Sequence, residues 1–169
     1  TDIERIAMVF HEGSSGIRTG RAVNGSDIFV YIGEYYKKCG TNLFWEYNST
    51  THTISITGSG NMFDFEIGDT PWNHLYNQIT HVSLSDGVTS IGVGAFNECW
   101  LLTSVTIPSS VKSIEVDAFY SCDNLTDIWY SGSVQDTAGM TIGDGNEDLI
   151  QATWHYNTCA EDAHSYSAV

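Results

Sequence analysis

THVSLSDGVTSIGVGAFNECWLL, residues 80–102, is followed at once by TSVTIPSSVKSIEVDAFYSCDNL, residues 103–125. Ten of the 23 aligned positions are identical: Thr80/Thr103, Val82/Val105, Val88/Val111, Ser90/Ser113, Ile91/Ile114, Val93/Val116, Ala95/Ala118, Phe96/Phe119, Cys99/Cys122 and Leu102/Leu125. A third turn opens at Thr126-Asp-Ile-Trp-Tyr130. Repetition at such a period marks units that stack, because one coil alone cannot close a core.

The apolar pattern inside the period sets the local structure. Val82 and Leu84, Val105 and Ile107, and Ile128 and Tyr130 alternate with polar residues. That alternation predicts one short strand per coil with one face inward. Val88 and Ile91 turn the chain inward again across a bend marked by Gly87, or by Pro108 in the second coil. Ala95-Phe96 and Ala118-Phe119 supply the small-plus-aromatic filling of a short helical or 3₁₀ segment, and Leu102 and Leu125 return the chain to the next strand. Phe96 and Phe119 are expected to be buried at equivalent positions of adjacent coils.

From Gly87 to Ser133 the chain resembles the BspA-like class of leucine-rich repeats, whose coils read G-V-x-x-I-x-x-x-A-F-x-x-C-x-x-L-x-x-[VI]-x-[IL]-P. The flanks fit the same resemblance. Cys39 to Phe65 is similar to the hairpin that precedes such arrays, with strands at Leu43–Trp45 and Thr53–Thr57, and Asp69–Trp72 resembles the link into the first coil. Ile142–Leu149 and Ala152–Tyr156 resemble the closing segment, an acidic turn and a last strand. Two departures stand out: only two complete repeats are present, and residues 1–38 match nothing in the family.

The resemblance implies a mostly β fold. It is a short leucine-rich-repeat solenoid of about 23-residue coils with short helical or 3₁₀ segments, preceded by a β-hairpin and a small N-terminal unit. The expected divisions are an unassigned segment at 1–38, hairpin and link at 39–78, repeats and closing segment at 79–158, and a tail at 159–169. Within 1–38, Ile3, Ile6, Ala7 and Phe10 have helical spacing, and Asp27–Gly33 reads as a strand after an Asn24-Gly25 turn.

Charge narrows the partners. Residues 1–38 hold five bases and five acids, whereas residues 39–169 hold sixteen acids and the single base Lys112, so they carry the whole net charge of −15. A chain so poor in Lys and Arg cannot track phosphates, which excludes nucleic acid and an anionic membrane surface as partners. No apolar run reaches the roughly 18–20 residues that cross a bilayer. Richness in Gly, Ser, Thr, Asn and Tyr points to a secreted or cell-surface setting, and N-x-[ST] sequons stand at Asn24, Asn48 and Asn124.

Catalytic chemistry has no motif to rest on. G-x-S-x-G, H-E-x-x-H and Gly-rich phosphate loops are absent, and the six histidines show no ligand spacing. No enzyme activity, catalytic residue, cofactor or metal is therefore expected. Asp144, Asn146, Glu147 and Asp148 are oxygen ligands of the kind calcium takes, but they follow no calcium-loop pattern and read as a solvated cap turn. The four cysteines lack C-x-x-C spacing. Cys99 and Cys122 read as small buried hydrophobes between coils. Cys39 and Cys159 flank the repeats, and a bridge between them would staple the ends, worth about 4–5 kcal/mol by chain entropy.

Binding has the better warrant. With Val82/Val105/Ile128 and Leu84/Ile107/Tyr130 inward, the outward residues fall in columns: His81/Ser104/Asp127, Ser83/Thr106/Trp129 and Ser85/Pro108/Ser131. An exposed Trp129 beside Asp127 and Thr106 is an anchor for a protein or a sugar ring. Ser104, His81 and Ser83 complete the expected ligand-binding set. In the competing arrangement Trp129 packs against the closing segment, with Trp154 or Tyr156 as the residues to cover it. Trp45, Trp72 and Trp100 read as packing residues of hairpin, link and coil edge. The resemblance implies adhesion or protein–protein contact; a carbohydrate-binding accessory module and a self-assembling surface-layer or filament component are the alternatives.

Overall fold

A computed structural model describes residues 37–157 in full, and before them the backbone of β1 (Arg18–Arg21) and β2 (Asp27–Val30). The chain divides into two compact units, Thr1–Tyr36 and Lys37–Val169. In the first, β1 and β2 pair antiparallel with Arg18 opposite Val30. The apolar stretch expected to be helical at residues 3–10, Asn24 and Cys159 lie outside the described residues.

The second unit opens with a hairpin of β3 (Gly40–Asn48) and β4 (Thr53–Met62), paired antiparallel with Trp45 opposite Ile56. Two glycines bend β4: Gly58 and Gly60 hold φ of 108° and 103°, in the left-handed region where a side chain is strained. A Cβ on Gly58 would also run into the carbonyl oxygen of Asn42. The bend lets one strand serve two wings of a sheet. Thr53–Ile56 pairs in parallel with β5 (His81–Leu84), and Gly60–Asn61 with β6 (Val88–Ile91).

The first wing continues in parallel through β7 (Ser104–Ile107), β9 (Asp127–Tyr130) and β11 (Thr153–Tyr156). The second continues through β8 (Ser113–Ile114) and β10 (Thr141–Ile142). Each coil thus contributes two strands, the second one at the place where the sequence shows only a return of apolar residues.

Register explains the repeated residues. Thr53, His81, Ser104, Asp127 and Thr153 are successive partners across the first wing, so the turns are 28, 23, 23 and 26 residues long. The sequence shows the two equal turns as complete repeats; the structure adds a longer one on each side. The 23-residue recurrence of threonine at 80, 103 and 126 has a hydrogen-bonding cause. The N–H and the hydroxyl of Thr103 both donate to the carbonyl of Thr80, at 2.9 and 3.0 Å, and the N–H of Thr126 donates in the same way to the carbonyl of Thr103, at 3.0 Å.

The two wings enclose one apolar interior. Ile54, Val82, Val105 and Ile128 follow one another in register and are essentially inaccessible to water. Behind them runs an aromatic ladder: Trp72 stacks on Phe96 at 5.2 Å, and Phe96 on Phe119 at 5.3 Å. Trp72 takes the phenylalanine position of the preceding turn, and its indole N–H donates to Ala95 O at 2.9 Å. Ala95-Phe96 and Ala118-Phe119 sit in consecutive turns rather than the expected helical segments. Among the described residues a 3₁₀ turn lies at Asn73–Leu75, and two α-helices, α1 (Val134–Thr137) and α2 (Glu147–Gln151), lie in the last turn.

Cys99 and Cys122 are buried free thiols, as their matching positions imply, and the Cys122 Sγ donates to Phe96 O at 3.2 Å. Burial pushes Cys99 up to about 12 and raises Cys122 as well. Cys39 is a buried thiol too, likewise pushed up to about 12. Trp45 and Trp72 are buried, and Trp100, at the coil edge, packs against Tyr76 with ring centroids 5.1 Å apart while standing 44% exposed.

The last turn is closed by side chains that stand in for a missing neighbour. In the inner coil Phe96 N–H donates to the backbone carbonyl of Ala118. One rung on, Phe119 N–H donates instead to Asn146 Oδ1 at 2.9 Å, and Cys122 N–H to Asp148 Oδ2 at 3.0 Å. Asn146 Nδ2 in turn donates to Glu115 O and Gly143 O at 2.9 and 2.8 Å. The acidic turn is therefore a cap, but its central residue is fully buried rather than solvated. Among the described residues no group of His, Cys, Asp or Glu converges as a metal site, and no helix is long and apolar enough to cross a membrane.

Candidate functional site: the outward face of the first wing

Side chains alternate across a strand, so the residues between the buried ones line an outward face. Its first column is Thr53, His81, Ser104, Asp127 and Thr153; its second is Ser55, Ser83, Thr106, Trp129 and His155. All six residues expected from the sequence stand on this face. His81 and Thr106 are exposed, Ser83 and Ser104 half-buried, and His81 Nδ1 meets the Thr80 hydroxyl at 2.7 Å. They do not form one tight cluster: His81 is two rungs from Asp127, roughly 10 Å at strand spacing.

Trp129 and Asp127 form the organised end. Trp129 is 51% exposed, and its indole lies flat on the His155 ring, with centroids 3.9 Å apart and planes 13° from parallel. His155 Nε2 lies 2.7 Å from Asp127 Oδ1. An ionised carboxylate only accepts, so the proton on this contact belongs to His155 Nε2. The Thr126 hydroxyl donates to Asp127 Oδ2 at 2.7 Å. These two bonds, that from His155 foremost, hold the Asp127 carboxyl below its ordinary value of 3.8. Asp127 is thus anionic at neutral pH, and the indole is fixed by a ring that is itself fixed by the carboxylate.

The competing arrangement of Trp129 is corrected in one respect. Trp154 and Tyr156 lie on the inner side with Tyr130, at 6.0 and 6.2 Å from its ring, and do not cover Trp129. The closing strand touches Trp129 through His155, a residue the sequence reading missed. Its signal was the alternation of Thr153-Trp-His-Tyr156: with Trp154 and Tyr156 inward, His155 points outward. The 26-residue last turn hid its alignment with Trp129 from a 23-residue cadence.

Of the sequons, Asn48 Oδ1 accepts from the N–H groups of Thr50 and Thr51, at 2.9 and 3.2 Å, and Asn124 Nδ2 donates to Trp100 O. Asn48 and Asn124 are both exposed.

Comparison with known proteins places the repeats. Residues 66–142 match the profile described as a BspA type leucine rich repeat region (6 copies). No curated protein matches the chain. Among solved structures it is similar to a leucine-rich repeat protein from Eubacterium ventriosum, at 23% identity and a TM-score of 0.51 over 70% of this chain and 35% of that one. A leucine rich repeat protein of T. pallidum is also matched, at 17% identity and a TM-score of 0.37 over 69% of each chain. The chain spans about a third of the length of the Eubacterium protein, and that likeness is one of fold.

Proposed function

We propose that the chain is a non-catalytic module of a secreted or cell-surface protein, mediating adhesion or protein–protein contact, on the footing that residues 66–142 match the BspA type leucine rich repeat profile. The outward face of the first wing is its binding surface, with Trp129 as anchor, Asp127 beside it, and Thr106, Ser104, Ser83 and His81 extending the contact along the rungs. In this reading the hairpin and link at 39–78 cap the repeats at 79–158, and no cofactor or metal takes part. The single observation that carries it is a tryptophan half open to water yet stacked on His155. A rigid aromatic that is ordered before binding loses little entropy on contact, which is the property of an interface hot spot.

The test compares wild type with Trp129→Ala on arrays of folded extracellular proteins and of glycans, with thermal melting as control. The expected result is protein-array binding that Trp129→Ala loses at an unchanged melting temperature. Protein binding retained by the variant removes this face from the account. Binding confined to the glycan array would make the chain a carbohydrate-binding module, and concentration-dependent self-association without array binding would make it an assembly component; either overturns the adhesion reading.

A further inference from the structure

We infer that the binding face takes a planar cation: the guanidinium of an arginine on a partner protein, stacked on the free side of Trp129 and bonded to Asp127. This rests on the binding-face reading above and gives it a ligand chemistry.

Geometry comes first. Trp129 and His155 are register partners on adjacent rungs, and their rings are parallel at 3.9 Å. The normal to the indole therefore runs along the column, across the strands. Its second side faces the preceding rungs, where the column holds Thr106 and then Ser83. Both are small, so the unstacked side of the half-exposed indole is left as an open slot beside a row of hydroxyls.

Charge comes next. Asp127 is held anionic, and its two oxygens each accept one bond, from His155 and from the Thr126 hydroxyl, which leaves lone pairs for a further donor. Residues 39–169 hold sixteen acids against Lys112 alone, so a basic partner is drawn in and an acidic one repelled. Lys112 itself is turned to its own loop, its Nζ donating to Ser109 O at 2.8 Å. Tryptophan is the strongest of the aromatic side chains at holding a cation over its ring, and arginine is the cation that can stack and donate in the same plane.

The protein already shows this geometry once. On the occupied side of Trp129, a flat nitrogen ring lies against the indole and gives its N–H to Asp127. A guanidinium in the slot repeats that arrangement on the opposite side. A neutral sugar would use the same indole and hydroxyl row but would gain nothing from the carboxylate's charge.

The experiment is an NMR titration of the whole chain with a capped pentapeptide carrying a central arginine, and with its citrulline counterpart, which keeps the shape and removes the charge. The Trp129 indole N–H is assigned by its loss in Trp129→Ala. Expected are shifts of that resonance and of the Thr106 amide with the arginine peptide, with binding about fivefold weaker for citrulline. Asp127→Asn, which keeps an oxygen for His155, is expected to weaken arginine binding similarly, and added salt to weaken it further. Equal binding of the two peptides, indifference to Asp127→Asn, or shifts of these resonances by neutral methyl hexosides and not by arginine would overturn the inference. Failure here is separable from failure of the surface. Array binding lost in Trp129→Ala without arginine preference sinks only the cation, whereas array binding indifferent to Trp129→Ala sinks the face and the cation together.

Discussion

Asp127 sits where two donors converge, the His155 ring N–H and the Thr126 hydroxyl, each at 2.7 Å. Hydrogen bonds to the charged form favour it, so the carboxyl titrates below 3.8 in the folded chain. Its folded value is depressed, and the stability it contributes is present above 3.8 and lost as pH falls through the lower folded value. A carbon-detected NMR titration is expected to place the Asp127 midpoint below 3.8, and His155→Ala to move it up towards 3.8. A wild-type midpoint at or above the ordinary value would show that the contact does not persist in solution. Residue identities at this site were only partly readable in advance. Trp129 and Asp127 fall in columns that the cadence defines, but the ring that fixes them comes from a turn of different length, and length is what a repeat comparison holds constant.

The last turn shows how an element ends a stack. The inner coil's Phe96 N–H is satisfied by the Ala118 carbonyl of the next coil, and in the final coil the Asn146 side chain serves Phe119 for the same purpose, with Asp148 adding a bond to Cys122 N–H. An asparagine can do this because its amide both accepts and donates, as the peptide group it replaces does. Asn146→Ala would leave Phe119 N–H, Glu115 O and Gly143 O without that partner in a buried place, at a cost of about 3 kcal/mol. Urea unfolding checks this; a loss below about 0.5 kcal/mol, the range of ordinary surface substitutions, would show that the cap is dispensable. In the sequence these residues look like calcium ligands or a solvated turn, because composition alone does not reveal which oxygens face inward. The hairpin was more legible: the strands expected at Leu43–Trp45 and Thr53–Thr57 lie within β3 and β4, though the glycine bend in β4 went unread. The second strand of each coil was not, since Ser113–Ile114 and Thr141–Ile142 are each two residues long and too short to show a period.

Across the whole molecule, stability passes from coil to coil through side chains that touch only their neighbours. Phe96 has Trp72 on one side and Phe119 on the other, at 5.2 and 5.3 Å. Phe96→Ala and Phe119→Ala are each expected to cost about 3–5 kcal/mol in denaturant unfolding. The pair should be coupled by about 0.5–1.5 kcal/mol beyond simple addition. Wild-type-like unfolding of both single variants would contradict the ladder. This level of organisation was the most legible of all, because ten identities in 23 positions fix which side chains must be equivalent. What stayed hidden was the extent of the stack, whose outer turns of 28 and 26 residues keep the register while abandoning the sequence pattern.

The measurement that bears most directly on the account is the set of interstrand nuclear Overhauser contacts along the outward column. Parallel rungs in the register described predict an unbroken file from Ser83 through Thr106 and Trp129 to His155. A file that breaks at Trp129, or that sets a residue other than His155 beside it, would contradict both the stacking of the last turn and the binding face built upon it.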